Sequence, residues 1–480
     1  LTSRERKILL LVSGAAFLDL LDVTVVNLAF PALSRDFAGS SVSALTWVIT
    51  GYAVMFAALL TAAGRLADVL GRRRVFLLGV GVFTLASLAS ALAPSLGALI
   101  SARFVQGAGA ALVLPSGLGI ILAETPPERR AAAVGIWGAA AGAAAAFGPT
   151  VGGILVHLID WRAVFYINVP IGAAIVLIGR RAIDDAAPEG GRLPDVVGTA
   201  SVAAGIGLLV LGVTKASDWG WLATSTDASL GAGLALVLFS LARSRRHPAP
   251  AIEIPLWRSR PFALSNLASI FFGAAGYAAM LVSVLFLVSA WGYSVLTAGF
   301  GVSPGAVTGA VAAALAGRAV DRRGQTAVVI AGASAMCAAF VYTAFAIHHS
   351  DLYVLAFLPG NVFVGIGMGM TAVGLSSAAA MYVDQRSFAA ATGLNMTARQ
   401  VGGALGVAVL AAILEANLGS GITAYSDVYL FCAIASATAI AVGVALAVVT
   451  RRGAAADERT SAQQRPSVHA APAAESATAD

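Results

Sequence analysis

The chain has 480 residues, 59% of them apolar and 11% charged, with a formal net charge of +6 and a mean hydropathy of +0.86. Soluble globular proteins carry about 25% charged residues, so this composition argues against a soluble enzyme and rules out disorder for all but the tail. The basic excess is no sign of nucleic-acid binding, because the charges fall in the gaps between long apolar runs. A membrane helix needs about 20 mostly apolar residues. Fourteen such runs follow one another at 8–30, 44–63, 75–93, 97–122, 131–156, 163–180, 196–214, 226–243, 262–288, 296–316, 326–347, 352–379, 390–413 and 426–450. They are too long for strands and lack alternation of period two, so the expected fold is all-α and polytopic, with 14 transmembrane helices.

Orientation follows from the basic residues. With the N-terminus in the cytoplasm, 25 of the 30 lie in inside segments. Only Arg35, Arg162 and Lys215 lie outside, while Arg103 and Arg399 sit within spans. A bias that alternates loop by loop supports an even helix count with both ends inside. The first span is over twenty residues long, holds Asp19 and Asp22, and lacks a small-residue cleavage site, so it is expected to be retained. Residues 451–480, rich in Ala, Ser, Pro and Gln, are expected to form a disordered cytoplasmic tail. The 28 arginines against two lysines, with many Ala and Gly, suggest GC-rich prokaryotic coding. Cys337 and Cys432 lie inside apolar runs and fit neither a disulfide framework nor a metal site.

Several polar or small-residue motifs interrupt this apolar background. Asp19 and Asp22 are three apart on one face of span 1. A carboxylate there must face a cavity, pair with a cation or take up a proton. One that exchanges a proton near neutral pH meets the requirement for proton coupling. The following Asn27 is a candidate cavity residue. The loop after span 2 reads Gly64-Arg65-Leu66-Ala67-Asp68-Val69-Leu70-Gly71-Arg72-Arg73. Span 4 carries Arg103 and Gln106 above a stripe of small residues, Gly107 and Ala110. A guanidinium keeps its charge in proteins, so Arg103 can act on a neighbouring acid without carrying the proton itself. In span 5, Gly142, Gly148, Pro149, Gly152 and Gly153 form a small-residue seam suited to close packing and bending. After span 10 the chain reads Gly317-Arg318-Ala319-Val320-Asp321-Arg322-Arg323-Gly324, which shares G-R-x-x-D-x-x-G with the first loop. Asp68 and Asp321 stand among arginines, where a cluster able to break and reform is a conformational latch. Span 13 places Asn395, Arg399 and Gln400 among glycines.

The two matching loops lie eight spans apart. Parallel six-helix repeats are a recurrent transporter plan, and eight is six plus two. The expected organisation is therefore a six-helix bundle over 1–181, a linker over 182–261 with inserted helices at about 196–214 and 226–243, and a second six-helix bundle over 262–450. The inserted helices are expected to be peripheral.

The loop Gly64–Arg73 resembles the signature loop of the major facilitator superfamily. Leu21-Asp22-Val23-Thr24-Val25-Val26-Asn27-Leu28-Ala29-Phe30-Pro31, Arg103-Phe104-Val105-Gln106-Gly107-Ala108-Gly109-Ala110 and Gly148-Pro149-Thr150-Val151-Gly152-Gly153 are similar to motifs of its fourteen-helix drug:proton antiporter branch. So are Trp161-Arg162 with Phe165, Asn168 and Pro170, and Asn395 with Arg399-Gln400-Val401-Gly402-Gly403. The resemblance covers about residues 1–452. It implies antiport through the span-5 seam, proton coupling at Asp22 with help from Arg103, and control of the inward/outward switch by the two loops. The motif does not ask for an acid at Asp19, whose role rests on its chemistry alone. The expected function is a proton-driven antiporter exporting small amphipathic compounds across the cell membrane. The alternatives are a proton-coupled importer or a non-transporting sensor. No cofactor, metal or nucleotide-binding loop is expected, and the expected partners are protons, a small-molecule substrate and the bilayer, around a monomer. With acids confined to the first bundle and Arg399 in the second, the expected cargo is neutral, monocationic or weakly acidic.

Overall fold

The structure is a computed structural model, and it describes residues 3–37, 40, 42–184, 195–252, 254–350, 352–381, 383–417 and 421–463. Fourteen long helices follow one another. They are α1 (Ser3–Asp36), α2 (Val42–Leu70), α3 (Arg72–Ala91), α4 (Leu96–Glu124), α5 (Arg130–Leu158), α6 (Asn168–Ala182), α7 (Val196–Trp219) and α8 (Thr224–Ser244), then α9 (Arg260–Leu285), α10 (Val295–Arg323), α11 (Gln325–His349), α12 (Leu358–Met381), α13 (Phe388–Ala416) and α14 (Ile422–Gln463). Short turns at Ala163–Tyr166 and Tyr353–Ala356 lead into α6 and α12. Among the described residues there is no strand. Thirteen helices hold a stretch long and apolar enough to cross a membrane. The fourteenth, α5, has 29 residues and packs between α1 and α10.

The final glycines of the two repeated loops do the same job. Gly71, between α2 and α3, has φ 99°, and Gly324, between α10 and α11, has φ 82°. This left-handed backbone carries no penalty for glycine. It lets the chain reverse within one residue, so both loops are tight joints between consecutive spans.

Helices α1–α6 pack on one another, as do α9–α14. The two groups meet mainly through α5 against α10 and α2 against α13, with α4 touching α13 and α5 touching α12. The named contacts across this boundary cluster in the halves of these helices nearest the arginine-rich loops, here termed the basic face. Backbones approach closely there. A Cβ on Gly64 would stand 2.3 Å from the Ala389 carbonyl oxygen, one on Gly317 2.4 Å from the Ala131 oxygen, and one on Gly142 2.9 Å from the Ala310 Cα. The Thr61 and Thr397 hydroxyls pair across the same seam at 2.9 Å. The bundles are therefore locked together at the basic face.

Helix α7 lies against both α2 and α13, and α8 packs on α7. Val54 and Ala57 share an apolar cluster with Val202, Ile206 and Val210. The Arg243 guanidinium donates to Asp195 at 3.0 Å, and this bond holds the Asp195 carboxyl below the usual carboxylate range. Helix α7 runs five residues past its expected end, bringing Lys215 under the Trp47 ring at 5.6 Å. A second departure lies at the C-terminus. Helix α14 continues to Gln463, into the segment expected to be a disordered tail from 451. Ala454–Ala456, Glu458 and Arg459 are good helix formers that extend a helix already nucleated. Residues 464–480 and most of the 182–195 linker lie outside the described residues.

A methyl group at Gly64 has no room while the basic face is closed. Gly64→Ala is expected to weaken that closure. In a background lacking Cys337 and Cys432, a Thr397→Cys probe should react several-fold faster with a thiol reagent applied from the basic side when Gly64→Ala is present. Equal rates would show that α13 yields without opening.

Candidate functional site

The first bundle encloses a connected set of polar side chains in its middle. Asp22, on α1, is 1% exposed and Arg103, on α4, is also 1% exposed. The Arg103 Nη1 lies 2.5 Å from Asp22 Oδ2. Arg103 also donates from Nε to the Val48 carbonyl at 3.0 Å and from Nη1 to Gln106 Oε1 at 2.7 Å. The other Asp22 oxygen accepts from Gln106 Nε2 at 2.8 Å and from Asn168 Nδ2 at 2.9 Å. Asn168, at the start of α6, donates onward to Ser87 of α3 at 3.0 Å, and Ser87 donates to the Phe165 carbonyl at 3.0 Å. A buried ion pair holds only if its remaining donors and acceptors are also met, and here α2, α4 and α6 supply the partners.

Asp19, one turn earlier on α1 and 6% exposed, is held differently. Its partner is the Tyr52 hydroxyl, which donates to Oδ1. Among the described residues no cation touches it. The two acids still communicate, since the Arg103 guanidinium lies 4.4 Å above the Tyr52 ring. The same guanidinium reaches the Phe165 ring at 5.6 Å.

At the basic face, Asp68 accepts from Arg72 Nε at 2.9 Å and from the backbone amides of Ala389 and Ala390 at 3.3 and 2.7 Å. An acid of the first bundle thus caps the N-terminus of α13 in the second, where the helix dipole favours negative charge. Arg72 also donates to the carbonyls of Gly119, at 3.4 Å, and Gln385. The Phe388 ring is flanked by the guanidinia of Arg72 at 5.7 Å and Arg130 at 4.9 Å. Arg73 donates to the Arg180 carbonyl at 2.6 Å. The second copy of the motif behaves otherwise. Asp321 and Arg322 are exposed, and among the described residues Asp321 makes no ion pair. Among the described residues, only the first loop's acid is bonded to the opposite bundle.

The span-5 seam divides between two neighbours. Gly142 faces Ala310 of the second bundle, whereas Gly148 faces Thr24 of α1, whose hydroxyl would stand 2.0 Å from an added Cβ. Gly152 is buried and Gly153 half-buried. The side chains of Pro149 and Asn27 lie outside the described residues. In the second bundle Asn395 is 1% exposed and donates to Ser269 at 2.9 Å, so it ties α13 to α9. Gln106, another expected cavity residue, is spent on the Asp22–Arg103 pair. Gln400 accepts from the Tyr277 hydroxyl. Arg399 donates to Ser376 at 3.3 Å and lies 5.2 Å over the Phe272 ring. Tyr52, Ser87 and Asn168 were given no site role by sequence reading. Asn168 stood inside a recognised motif, but nothing in its spacing pointed it at Asp22.

On the opposite face, Trp161 Nε1 and Arg162 both donate to Asp36, at 2.8 and 3.0 Å. These bonds, that from Trp161 foremost, hold the Asp36 carboxyl below its ordinary range and tie the end of α1 to the α5–α6 loop.

Two helical bundles with buried charges near mid-membrane, meeting at one face, define a membrane transporter of small molecules. The chain belongs to the Major Facilitator Superfamily, whose profile matches residues 12–407 and 266–474. It is 31% identical over 422 residues to the multidrug resistance protein Stp of Mycobacterium tuberculosis, covering 87% of this chain and 78% of that one. It is 35% identical over 430 residues to the probable actinorhodin transporter of Streptomyces coelicolor, covering 86% and 73%. It is also 34% identical over 415 residues to the cephamycin export protein CmcT of Amycolatopsis lactamdurans, covering 85% of each. The crystal structure of the human organic anion transporter MFSD10 (TETRAN) shares the fold, with a TM-score of 0.65 at 16% identity over 90% of this chain and 99% of that one. Fourteen helices and export-protein relatives place the chain in the drug-efflux branch of the superfamily.

Breaking a buried pair from one side costs about 3–5 kcal/mol, whereas removing both charges costs far less. Arg103→Gln alone is expected to lower the thermal unfolding midpoint in detergent clearly. The double variant Asp22→Asn/Arg103→Gln should recover most of that loss. A double variant no more stable than the single one would show that the pair is not the unit holding the bundle.

Proposed function

We propose that the protein is a proton-driven antiporter that exports small amphipathic compounds from the cytoplasm, and that Asp19 carries the exchanged proton. The observation that carries this reading is the contrast between the two mid-membrane acids. Asp22 is compensated by Arg103 and further tied by Gln106 and Asn168. Asp19 has a tyrosyl hydroxyl in place of a cation. A buried carboxylate that lacks a compensating cation is the one whose charge changes most readily with its surroundings. Asp22 then serves to fix Arg103, and Arg103 acts through the Tyr52 ring as an electrostatic neighbour of Asp19. The export-protein names of the relatives support the direction of transport.

The closed basic face sets the order of events. With the N-terminus in the cytoplasm, closure there leaves Asp19 to exchange with the outside. A proton taken up by Asp19 removes a charge from mid-membrane and lowers the cost of rocking the bundles. Opening of the basic face, with release of the Asp68–α13 cap, exposes Asp19 to the cytoplasm, where the proton leaves and a substrate enters. One charge moving down 100 mV supplies about 2.3 kcal/mol, enough for a gradient of roughly fiftyfold.

Asp19→Asn fixes the site in its neutral form. In everted vesicles it is expected to abolish export driven by an imposed proton gradient and to leave substrate counterflow at half of wild type or more. Gradient-driven export at the wild-type rate by Asp19→Asn would remove Asp19 from the proton path.

A further inference from the structure

The second bundle holds a guanidinium that the first bundle's network does not account for. Arg399 lies eleven residues into α13, about 17 Å from its start at the basic face. Its contacts are the Ser376 hydroxyl at 3.3 Å and the Phe272 ring. Its Nε is buried with no hydrogen-bond partner, and among the described residues no carboxylate forms an ion pair with it. The backbone beneath it cannot retreat, since a Cβ on Gly273 of α9 would stand 2.1 Å from the Arg399 carbonyl oxygen. Arg103 has the same charge and is given a carboxylate, a carbonyl and an amide. Arg399 is given one hydroxyl and one ring.

Other buried groups on nearby helices also lack partners, among them Asn266 Oδ1 on α9, Ser377 Oγ on α12 and Trp137 Nε1 on α5. Helix α12 packs on both α5 and α13, and Gly138, next to Trp137, faces Val373, one turn from Ser377 on α12. An arginine Nε and an indole nitrogen can only donate, so what would satisfy them is an acceptor. Beside a fixed positive charge out of water, the acceptor that recovers most is an anion. Tyr277 of α9, 41% exposed, donates to Gln400, the residue after Arg399 on α13.

We propose that Arg399 is the binding group for an acidic function of the exported compound, a carboxylate or an acidic enol or phenol on an aromatic or otherwise apolar body. Phe272 and Tyr277 supply the surface for that body, and Arg399 the counter-charge. The proposal rests on the efflux reading for its setting but makes a separate claim, that the cargo is acidic and that the second bundle recognises it. It also gives the two charges distinct tasks, with the proton on α1 and the anion on α13.

The test uses an aromatic carboxylate of two or three fused rings and its methyl ester. Binding is measured to the full-length protein in detergent, and transport is measured in everted vesicles. Wild type is expected to bind the acid at least tenfold more tightly than the ester. Arg399→Gln should weaken the acid at least tenfold, leave the ester within twofold, and unfold at the wild-type temperature or above, because it removes an uncompensated buried charge. Arg399→Lys should keep part of the preference for the acid. No preference in wild type, or the same preference in Arg399→Gln, overturns the proposal. A marked loss of thermal stability in both variants also overturns it, since that result makes Arg399 a helix pin. Binding of the acid that depends on Arg399, without gradient-driven transport, upholds this inference and defeats the antiport reading. Gradient-driven transport of the ester alone, indifferent to Arg399, does the reverse.

Discussion

The buried pair between Asp22 and Arg103 is the constraint around which the first bundle is built. Two opposite charges in a low-dielectric interior are tolerated only when their geometry is good and their other hydrogen bonds are made. Meeting that condition takes Val48 from α2, Gln106 from α4 and Asn168 from α6, with Ser87 of α3 holding Asn168 in turn. Hydrocarbon outside the bundle offers no drive for helix association comparable to that in water. A polar hub that draws on several helices at once therefore gives this half a definite arrangement. Among the described residues the second bundle shows no such hub, and it is held by close backbone contacts such as Gly273 on Arg399 and Gly402 on Ile270.

This difference decides which parts of the molecule were legible in the sequence. Helix number and order followed from apolar run length, because the bilayer leaves each span little choice. The repeat was visible as G-R-x-x-D-x-x-G, and the matched φ values of Gly71 and Gly324 are its structural counterpart. Asp22 and Arg103 were readable as partners because charges within spans are rare. Tyr52 and Ser87 were not readable, since hydroxyls are common in membrane helices and only the packing of α2 and α3 against α1 and α6 turns these two inward. The bonds that Asn395 and Gln106 make to Ser269 and to the Asp22–Arg103 pair are not readable for the same reason. An amide within a span serves equally well as a pore lining or a tie between helices, and spacing along one helix does not say which neighbour it faces.

The two copies of the loop motif also illustrate what a repeat does not guarantee. Both end in a glycine with left-handed φ, because that is demanded by the reversal itself. Both pack on the other bundle, Gly64 against Ala389 and Gly317 against Ala131, but only the first copy's acid is bonded there, since Asp68 ends up beside the start of α13 while Asp321 ends up at the surface. The local turn is encoded in the repeated residues. The bond across the boundary depends on what the opposite bundle presents.

That cap on α13 has a mechanical consequence. A helix is stiff over a few turns, and α13 carries the Asp68 contact at its first residues and Arg399 about 17 Å further on. A rod pinned at one end behaves as a lever. If it tilts by about 15°, comparable to known subunit rotations, the guanidinium sweeps through about 4 Å, more than the length of a hydrogen bond. Pivoting about the cap and displacing whatever sits at Arg399 then become one movement, so a molecule held there would feel the state of the basic face through the length of a single helix.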